Sequence, residues 1–335
     1  MKHPQEVKSI VGVVGLGLMG SSIVVALLAS GYKVIAVAPV AGEAERASVH
    51  IREMLLHADK AGLLKDTVAA GFEAMTLCED YAALSNCAIV LECVVENKEI
   101  KSTVYKKIAA AVARDVIIAS NTSAIPISEL QELVPGPERF VGIHWAEPAY
   151  MTRFLEVTCG SKTDVLLAEQ AVALGVSCNK EPTLLKKDIR GFITNRLMYA
   201  VYREALTLVE QGHTSISDAD KAFRYDAGAW MTLMGIFRRM DFMGTDEQME
   251  IYSRLFNQLS NRSDVPLVMQ RLAEKGARGV HDLDGLYTYT AEEARIWQAA
   301  FVNFNEAIYQ LAIRYSEQNN LKNNEDRYQG QKQYL

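Results

Sequence analysis

Hydrophobic and polar positions divide the chain into two regions with different patterns. In the first region, short apolar runs rich in β-branched residues alternate with amphipathic stretches, which is typical of a parallel sheet covered by helices on both faces. The predicted strands span residues 10–14, 33–38, 88–93, 116–120, 140–144 and 154–158. Predicted helices between them include residues 19–30, 43–61 and 101–112. We therefore expect an α/β domain over residues 1–188, built on a doubly wound parallel sheet.

The second region contains almost no strand-like run and predicts helices alone. These helices span about residues 191–211, 216–226, 229–243, 246–261, 264–275 and 290–318. In the last of them, apolar residues recur in steps of three and four positions from Ile296 to Ala312, which indicates an amphipathic helix. We expect an all-α domain over residues 189–318, followed by a polar tail, residues 319–335, that frays.

The composition is that of an ordinary globular protein. Hydrophobic residues make up 49% and charged residues 23% of the 335 positions, and the net charge is −6. A net negative charge gives no general attraction to nucleic acid or to an anionic membrane. Apolar stretches are interrupted well before the roughly 18 residues that a membrane span requires. We expect neither a nucleic-acid partner nor a membrane segment.

The cysteines indicate a reducing environment. Their number is odd, and none of them has CxxC or metal-ligand spacing; they are Cys78, Cys87, Cys93, Cys159 and Cys178. Such scattered cysteines are typical of reduced thiols rather than of a disulfide framework. The first residues also lack the apolar core of a signal peptide. We expect a cytoplasmic protein without a metal site.

A glycine-rich motif follows the first predicted strand. Residues 10–20 read IVGVVGLGLMG, and a helical pattern begins directly after them. In a dinucleotide-binding loop, Gly15 makes the tight turn, Gly17 lets the backbone approach the pyrophosphate, and Gly20 lets the helix pack on the strand. The helix N-terminus, with Leu18 and Met19, then offers free N–H groups to phosphate. The motif predicts a Rossmann-type cofactor site; the competing interpretation is a purely structural strand-to-helix turn.

One element of an NAD site is missing from its usual place. A carboxylate at the end of the second strand usually holds the ribose hydroxyls, and that position is Ala38 here. No arginine or lysine that could hold a 2′-phosphate follows it immediately. Glu43 and Arg46 lie farther along the chain. NAD is therefore favoured only by default, and NADP is not excluded.

Four further segments accompany the glycine motif in a definite order. They read ECVVENKEIKSTVYKKI (92–108), IIASNTSAIPI (117–127), GIHWAEPAYMTRFLEV (142–157) and DIRGFITNRL (188–197). Together with the glycine motif they resemble the L-3-hydroxyacyl-CoA dehydrogenase family, including its related branch of carnitine and L-gulonate dehydrogenases and a lens crystallin. The resemblance runs from Ile10 to about Thr290, and it implies a Rossmann-type domain followed by a helical domain.

The resemblance implies catalytic roles for four residues. The histidine of the family motif G-x-H-F-F-N-P is His144, and the glutamate twelve residues later is Glu156. Ser123 and Asn195 match the family's N-T-S and G-F-I-x-N-R motifs. The residue chemistry agrees, because oxidation of a secondary alcohol requires a base that titrates near neutral pH and an acceptor that fixes the base's tautomer. Ser123 and Asn195 can donate hydrogen bonds to the substrate oxygen.

The resemblance also implies cofactor contacts by Glu96, Lys101 and Asn121. Each of the assigned residues has a simpler interpretation if taken alone. Glu96 and Lys101 could form a solvated ion pair, and Ser123 could cap a short helix over residues 127–133. Asn195 could lie on a helix surface, and His144 and Glu156 could be ordinary strand-end residues.

Departures from the family pattern leave the substrate open. The H-F-F-N-P motif reads His144-Trp-Ala-Glu-Pro here, and Arg190 replaces the usual proline before GF. The segment HIREMLLHADKAGLL (50–64), where acyl-CoA members carry lysines that meet the CoA phosphates, has little net positive charge. One interpretation is an NAD-dependent dehydrogenase of a 3-hydroxyacyl thioester. The second is the same chemistry on a small polar hydroxy acid or sugar-derived alcohol, and the third is a non-catalytic dinucleotide-binding protein.

The helical region also predicts self-association. It carries more apolar helix faces than one small bundle needs, including Leu197–Tyr202, Phe237–Met243 and the face from Trp297 to Leu311. Contiguous apolar surface of this kind is usually buried against another chain, and two-fold dimers are the commonest arrangement. We expect a homodimer, which the resemblance also implies; the alternative is that the last helix covers these faces within one chain.

Overall fold

The computed structural model describes residues 9–319, apart from the side chains of residues 245–247, 313 and 315–319. The described residues form two compact units. The first unit ends at Arg196, and the second begins at Leu197. The frayed tail predicted over residues 319–335 lies, from residue 320 onward, outside the described residues. No helix among the described residues is long and apolar enough to cross a membrane.

The first unit is built on one sheet of eight strands. The strands are β1 (Ile10–Val14), β2 (Lys33–Val37), β3 (Met75–Cys78), β4 (Cys87–Glu92), β5 (Ile117–Ser120), β6 (Phe140–Trp145), β7 (Phe154–Cys159) and β8 (Glu181–Leu185). Their order is β3-β2-β1-β4-β5-β6-β7-β8. All neighbours are parallel except β6 and β7, which are antiparallel. The predicted doubly wound, mostly parallel sheet is confirmed.

Helices cover both faces of this sheet. They are α1 (Leu18–Ala29), α2 (Glu43–Lys60), α3 (Val68–Glu73), α4 (Lys98–Ala111), α5 (Ile127–Gln131) and α6 (Val165–Ser177). One hydrophobic core contains apolar residues of α1, α2 and α6, and a second core contains those of α4 and α5. Ten of the twelve residues of α1 are buried, and all of these ten except Ser21 and Ser22 are apolar.

The sequence prediction missed β3 and β8, the two edge strands. The β3 sequence MTLC is short and only half-buried, so it lacks the strong apolar run of the central strands. The β8 sequence EPTLL begins with two residues that disfavour strands. A proline is tolerated at an edge because one side of an edge strand needs no N–H donors.

The second unit is helical, as predicted. Its helices are α7 (Thr194–Glu210, which begins in the first unit), α8 (Ile216–Tyr225), α9 (Ala227–Met231), α10 (Ile236–Met243), α11 (Thr245–Leu255), α12 (Leu267–Glu274) and α13 (Ala291–Asn319). The predicted single helix over residues 229–243 is divided into α9 and α10. The division falls at Gly235, whose extended backbone caps the N-terminus of α10.

The strand order determines where a ligand can bind in the first unit. The chain leaves β1 toward β2 on one side and returns to β4 on the other side of β1. In open α/β sheets such a reversal creates a crevice at the carboxyl ends of the strands. The glycine motif follows β1, residues 93–97 follow β4, residues 121–126 follow β5, and His144 lies near the end of β6. The residues singled out in the sequence therefore lie at the carboxyl-terminal ends of neighbouring strands, on one side of the sheet.

Candidate active site

The β1–α1 loop has the geometry of a phosphate-binding turn. Gly15 adopts a φ of +91°, which favours glycine. A Cβ on Gly20 would lie 1.9 Å from the carbonyl oxygen of Gly15, so only glycine allows this close packing. A Cβ on Gly17 would meet no protein atom within 4 Å, so the backbone faces open space there. The loop therefore leaves room for a ligand to approach its backbone.

The N-terminus of α1 is available to an anion. Gly17 is the N-cap and supplies no side-chain hydrogen bond, and the first turn, which contains Leu18 and Met19, has no acidic residue. Uncapped N–H groups and the helix dipole together favour phosphate. These features fit the pyrophosphate of a dinucleotide. Ala38, by contrast, is 1% exposed after β2 and offers no polar side chain.

His144 and Glu156 lie directly opposite each other in the sheet. The antiparallel register of β6 and β7 pairs these two residues, so their side chains project from the same face. Nδ1 of His144 lies 3.3 Å from Oε2 of Glu156. Glu156 is 1% exposed, whereas the His144 side chain keeps 12% of its surface exposed. The pair is therefore a buried carboxylate behind a partly accessible imidazole.

The second oxygen of Glu156 is also held. Oε1 accepts a hydrogen bond of 2.8 Å from the backbone N–H of Ile193. Phe192, beside it, is buried with a φ of +50°, and its ring centroid lies 5.9 Å from that of His144. Phe154 packs edge-on against the imidazole at 5.4 Å. These contacts fix the orientation of both members of the pair.

Ser123 and Asn195 complete the group. Oγ of Ser123 lies 3.0 Å from Nε2 of His144, and the Asn195 side-chain amide donates a 2.9 Å hydrogen bond to the carbonyl of Ser123. An amide nitrogen carries two N–H groups, so one of those of Asn195 stays available. The structure therefore brings together all four residues to which the sequence assigned catalysis.

The chemistry of this arrangement follows from its hydrogen bonds. A proton on Nδ1 of His144 that faces Glu156 leaves Nε2 as the basic nitrogen, beside the exposed hydroxyl of Ser123. An imidazole in this state can remove a proton from an alcohol and return it in the reverse direction. The carboxylate stabilises the imidazolium that forms.

Glu96 holds the loop that carries Ser123. Its Oε1 accepts hydrogen bonds of 2.8 Å from the Thr122 hydroxyl and from the backbone N–H of Ser123. Asn121 ties the start of the same loop to β6, because its side-chain oxygen accepts a hydrogen bond from the backbone N–H of Trp145. Both residues follow the carboxyl ends of central strands, β4 and β5, where the sequence predicted cofactor contacts.

Lys101 lies beneath this loop. It is 1% exposed, and its ammonium donates to both carboxylate oxygens of Glu92 at 2.7 and 3.0 Å. Oε2 of Glu96 lies farther away, at 3.5 Å. The structure thus places this lysine in a buried ion pair. Its predicted contact with the cofactor stays a prediction.

Glu92 is a residue that the sequence analysis missed. This fully buried carboxylate also accepts hydrogen bonds from the hydroxyls of Tyr105 and Ser120, both at 2.8 Å, and from the N–H of Val94. Burial, and then the charge of Glu92, raise the pKa of Tyr105 well above its ordinary value. The available signal was a single acid inside the otherwise apolar strand CAIVLE.

The segment after His144 is also anchored from below. Lys180 is 5% exposed, its ammonium donates to the carbonyls of Ala149 and Thr152, and it lies 5.4 Å from the centroid of the Trp145 ring. Burial lowers the pKa of Lys180 to about 8. Glu147, at the position of the family asparagine, is half-buried, and burial raises its pKa. No motif in the sequence pointed to Lys180.

Comparison with protein families gives two matches that together span most of the chain. Residues 10–189 match the model of the 3-hydroxyacyl-CoA dehydrogenase NAD binding domain. Residues 191–289 match that of the 3-hydroxyacyl-CoA dehydrogenase C-terminal domain. The boundary between the matches falls next to Arg190, just before the strand-free region.

Individual relatives show the same relationship. The chain is 35% identical to 5-formyl-3-hydroxy-2-methylpyridine 4-carboxylate 5-dehydrogenase of Mesorhizobium japonicum, over 86% of this chain and 93% of the relative. It is 32% identical to L-carnitine dehydrogenase of Oceanobacillus iheyensis, over 70% of this chain and 76% of the relative.

A solved structure agrees in fold. The crystal structure of a 5-formyl-3-hydroxy-2-methylpyridine 4-carboxylic acid 5-dehydrogenase, described as an NAD+-dependent dismutase, has a TM-score of 0.85 and 31% identity. The alignment covers 91% of this chain and 98% of that chain. These matches confirm the resemblance found in the sequence, and NAD as the cofactor. The chain belongs to the 3-hydroxyacyl-CoA dehydrogenase family of NAD-dependent oxidoreductases.

Proposed function

We propose that this dehydrogenase interconverts a small polar secondary alcohol, of the hydroxy-acid or sugar-alcohol class and without coenzyme A, with its ketone. The hydrogen-bonded series Glu156–His144–Ser123 carries the proposal. In this series Glu156 fixes the tautomer of His144, so that Nε2 is the basic nitrogen beside the exposed hydroxyl of Ser123. A base of this kind is what removal of a proton from a substrate alcohol requires.

In the oxidative direction Nε2 of His144 takes the proton of the substrate hydroxyl, while Glu156 stabilises the imidazolium. Bound NAD+ would accept the hydride from the carbon that bears this hydroxyl. The free N–H of Asn195 donates a hydrogen bond to the substrate oxygen, and the single O–H of Ser123 can do so once the substrate hydroxyl takes its place at Nε2 of His144. In reduction the imidazolium returns the proton to that oxygen.

The cofactor site in this proposal combines two groups of residues. Gly15, Gly17, Leu18, Met19 and Gly20 form the pyrophosphate turn, with Ala38 lining the ribose side. Glu96 follows β4, Lys101 lies near the start of α4 and Asn121 follows β5. These three residues would face the nicotinamide end of the cofactor, where Glu96 and Lys101 would set the charge and Asn121 sets the position of β6. The network of hydrogen bonds around the Ser123 loop supports this arrangement.

The surface of α2 favours a substrate without coenzyme A. Phosphates of CoA gain from a cationic surface, but the four acids of α2 outnumber its three arginine and lysine residues. The Arg52 guanidinium lies over the Phe72 ring at 4.8 Å, and Nδ1 of His57 lies 2.9 Å from the Tyr150 hydroxyl. The exposed acids Glu53 and Asp59 add negative charge beside them.

Names of the relatives support a substrate without coenzyme A. Neither the pyridine-carboxylate dehydrogenase nor the carnitine dehydrogenase is named for a CoA thioester. The former is named for a substrate that carries a formyl group and a carboxylate. The second candidate function, oxidation of a 3-hydroxyacyl-CoA, is favoured by the names of the two matching family models.

The proposal also assigns a different role to each of the two regions. Residues 1–188 bind NAD, and residues 189–318 bind substrate and form a cytoplasmic homodimer. The second unit exposes large apolar side chains, among them Phe237 at 80%, Phe242 at 73% and Met249 at 75%. A second copy of the chain would bury such side chains. Sedimentation equilibrium tests this point: a mass near the 37.1 kDa of one chain would contradict the dimer.

The experiment for the proposed function is a substrate screen. The enzyme is incubated with NAD+ and a panel of small hydroxy acids, sugar-derived alcohols and 3-hydroxybutyryl-CoA, and NADH formation is followed by absorbance. We expect turnover with a CoA-free compound. Efficient oxidation of the CoA thioester alone would favour the second candidate. NADH binding without turnover of any alcohol would favour a non-catalytic role.

A further inference from the structure

The β2–α2 loop brings a carboxylate back to the glycine motif. Gly42 adopts a φ of +73°, and this turn places Glu43 at the start of α2. Oε1 of Glu43 accepts a 2.7 Å hydrogen bond from the backbone N–H of Leu16. Oε2 accepts one of 3.2 Å from the N–H of Val40. The carboxylate therefore bridges the β1–α1 loop and the β2–α2 loop.

This carboxylate can bind two more donors. Each of its oxygens has two lone-pair directions, and the hydrogen bonds described above use one on each oxygen. Glu43 is half-buried, so part of its side chain remains open to solvent.

We infer that Glu43 is the cofactor's ribose-binding residue, in place of the carboxylate that is absent at Ala38. The two free acceptor sites match the two adjacent hydroxyls of the adenosine ribose. The fixed negative charge would repel the 2′-phosphate of NADP, so Glu43 also sets the preference for NAD. The inference rests on NAD binding at the glycine motif, and it assigns to α2 a role that usually belongs to the end of β2.

Cofactor binding tests the inference without any need for a substrate. Dissociation constants for NADH and NADPH are measured by calorimetry for the wild type, for Glu43→Gln and for the matched control Glu45→Gln. Glu45 is exposed in the same first turn of α2. Because hydrogen bonds to charged groups are strong, we expect Glu43→Gln to weaken NADH binding by about ten- to a hundredfold. NADPH binding should tighten, while Glu45→Gln should change neither.

An analogue of NAD+ that lacks the 2′-hydroxyl of the adenosine ribose gives a stricter test. The wild type should bind this analogue at least about tenfold more weakly than NAD+. Glu43→Gln should show little difference between the two ligands, because the deleted groups interact with each other. If the analogue binds more weakly than NAD+ by the same factor in the wild type and in Glu43→Gln, the assignment of Glu43 is overturned, but NAD binding at the glycine motif is not. A wild type that binds neither NADH nor NADPH would overturn both.

Discussion

His144 and Glu156 are direct cross-strand neighbours, with Nδ1 of the imidazole 3.3 Å from the carboxylate. The eleven residues that separate them in sequence are the ends of two antiparallel strands and the connection between them. Because the residues share a ladder position, the sheet itself sets their separation, and Ile193 and Phe192 then restrict their orientation. A base held in this way needs little rearrangement before it accepts a proton.

Replacement of the base tests its role most simply. His144→Gln should lower kcat by at least about a hundredfold, the usual scale for loss of a general base. The NADH dissociation constant should stay within about twofold, since His144 is assigned to the substrate and not to the cofactor. Steady-state kinetics and calorimetry on the same preparation provide both values. Near-normal turnover would mean that another group removes the proton.

Replacement of its neighbour separates orientation from folding. Glu156→Gln retains the shape of the side chain and an oxygen for the N–H of Ile193, so we expect a folded protein that binds NADH normally. Turnover should fall by about ten- to a thousandfold, and the pH dependence of kcat/KM should change, because the imidazolium loses its stabilising charge. A slower enzyme with the wild-type pH profile would indicate a purely structural carboxylate.

The sequence predicted the candidate catalytic residues of this site better than the buried residues that hold the surrounding strands and loops in place. His144, Glu156, Ser123 and Asn195 were recognisable because each lies in a motif with its own spacing. Glu92 was not, because its contacts with Lys101, Tyr105 and Ser120 join three separate elements, and local patterns carry no information on such contacts.

The same limit applies to the edges of the sheet and to the cofactor loop. Strand β8 contains Pro182, and it forms a strand only because it pairs with β7 on one side. Glu43 is only five residues beyond Ala38, yet its contact with Leu16 depends on the turn at Gly42. Sequence distance alone made Glu43 look remote from the ribose site.

The buried ion pair should be important for stability. Glu92→Ala removes the partner of a lysine that is 1% exposed, and loss of one member of a buried pair typically costs about 3–5 kcal/mol. Urea unfolding measures the change, with Glu129→Ala as the control. Glu129 forms ion pairs with Lys98 and Arg190 at the surface, so its loss should be hard to detect. Equal effects of the two changes would contradict the structural role of Glu92.

Two glycines of the motif should respond differently to alanine. Gly20→Ala would place a Cβ against the carbonyl of Gly15, so it should lower stability by roughly 1–3 kcal/mol and weaken NADH binding. Gly17→Ala meets open space at an ordinary φ of −62°, so the thermal midpoint should hold. NADH affinity should still fall, by about tenfold or more, because the new methyl group blocks the approach of the pyrophosphate. Unchanged affinity in Gly17→Ala would argue against this loop as the phosphate site.

Lys180 should give a characteristic pH dependence of stability. Burial lowers its pKa from 10.5 to about 8, so between these pH values the folded chain binds fewer protons here than the unfolded chain does. The contribution of Lys180 to the free energy of unfolding should therefore rise with pH across that range, by on the order of 2 kcal/mol. A neutral amine still has two N–H groups for the carbonyls of Ala149 and Thr152.

The contribution is isolated by difference. The free energy of unfolding of the wild type is compared with that of Lys180→Met at pH values from about 8 to about 10, with Lys186→Met, at an exposed position, as the control. As the pH rises, the free energy of unfolding of the wild type should increase relative to that of Lys180→Met. The free energy of unfolding of Lys186→Met should change with pH in the same way as that of the wild type. A constant difference would show that burial does not shift the pKa of Lys180, and a difference that falls with pH would show that the ammonium is the favoured buried form.

The most direct test of the whole account compares one hydroxy acid in two forms. Initial rates of NADH formation with 3-hydroxybutyrate and with 3-hydroxybutyryl-CoA, in the wild type and in His144→Gln, give kcat/KM for a matched pair that differs only in the thioester. We predict a higher kcat/KM for the free acid, with activity reduced at least about a hundredfold in the variant. A preference of about tenfold or more for the CoA thioester, or activity that survives in His144→Gln, would contradict the account.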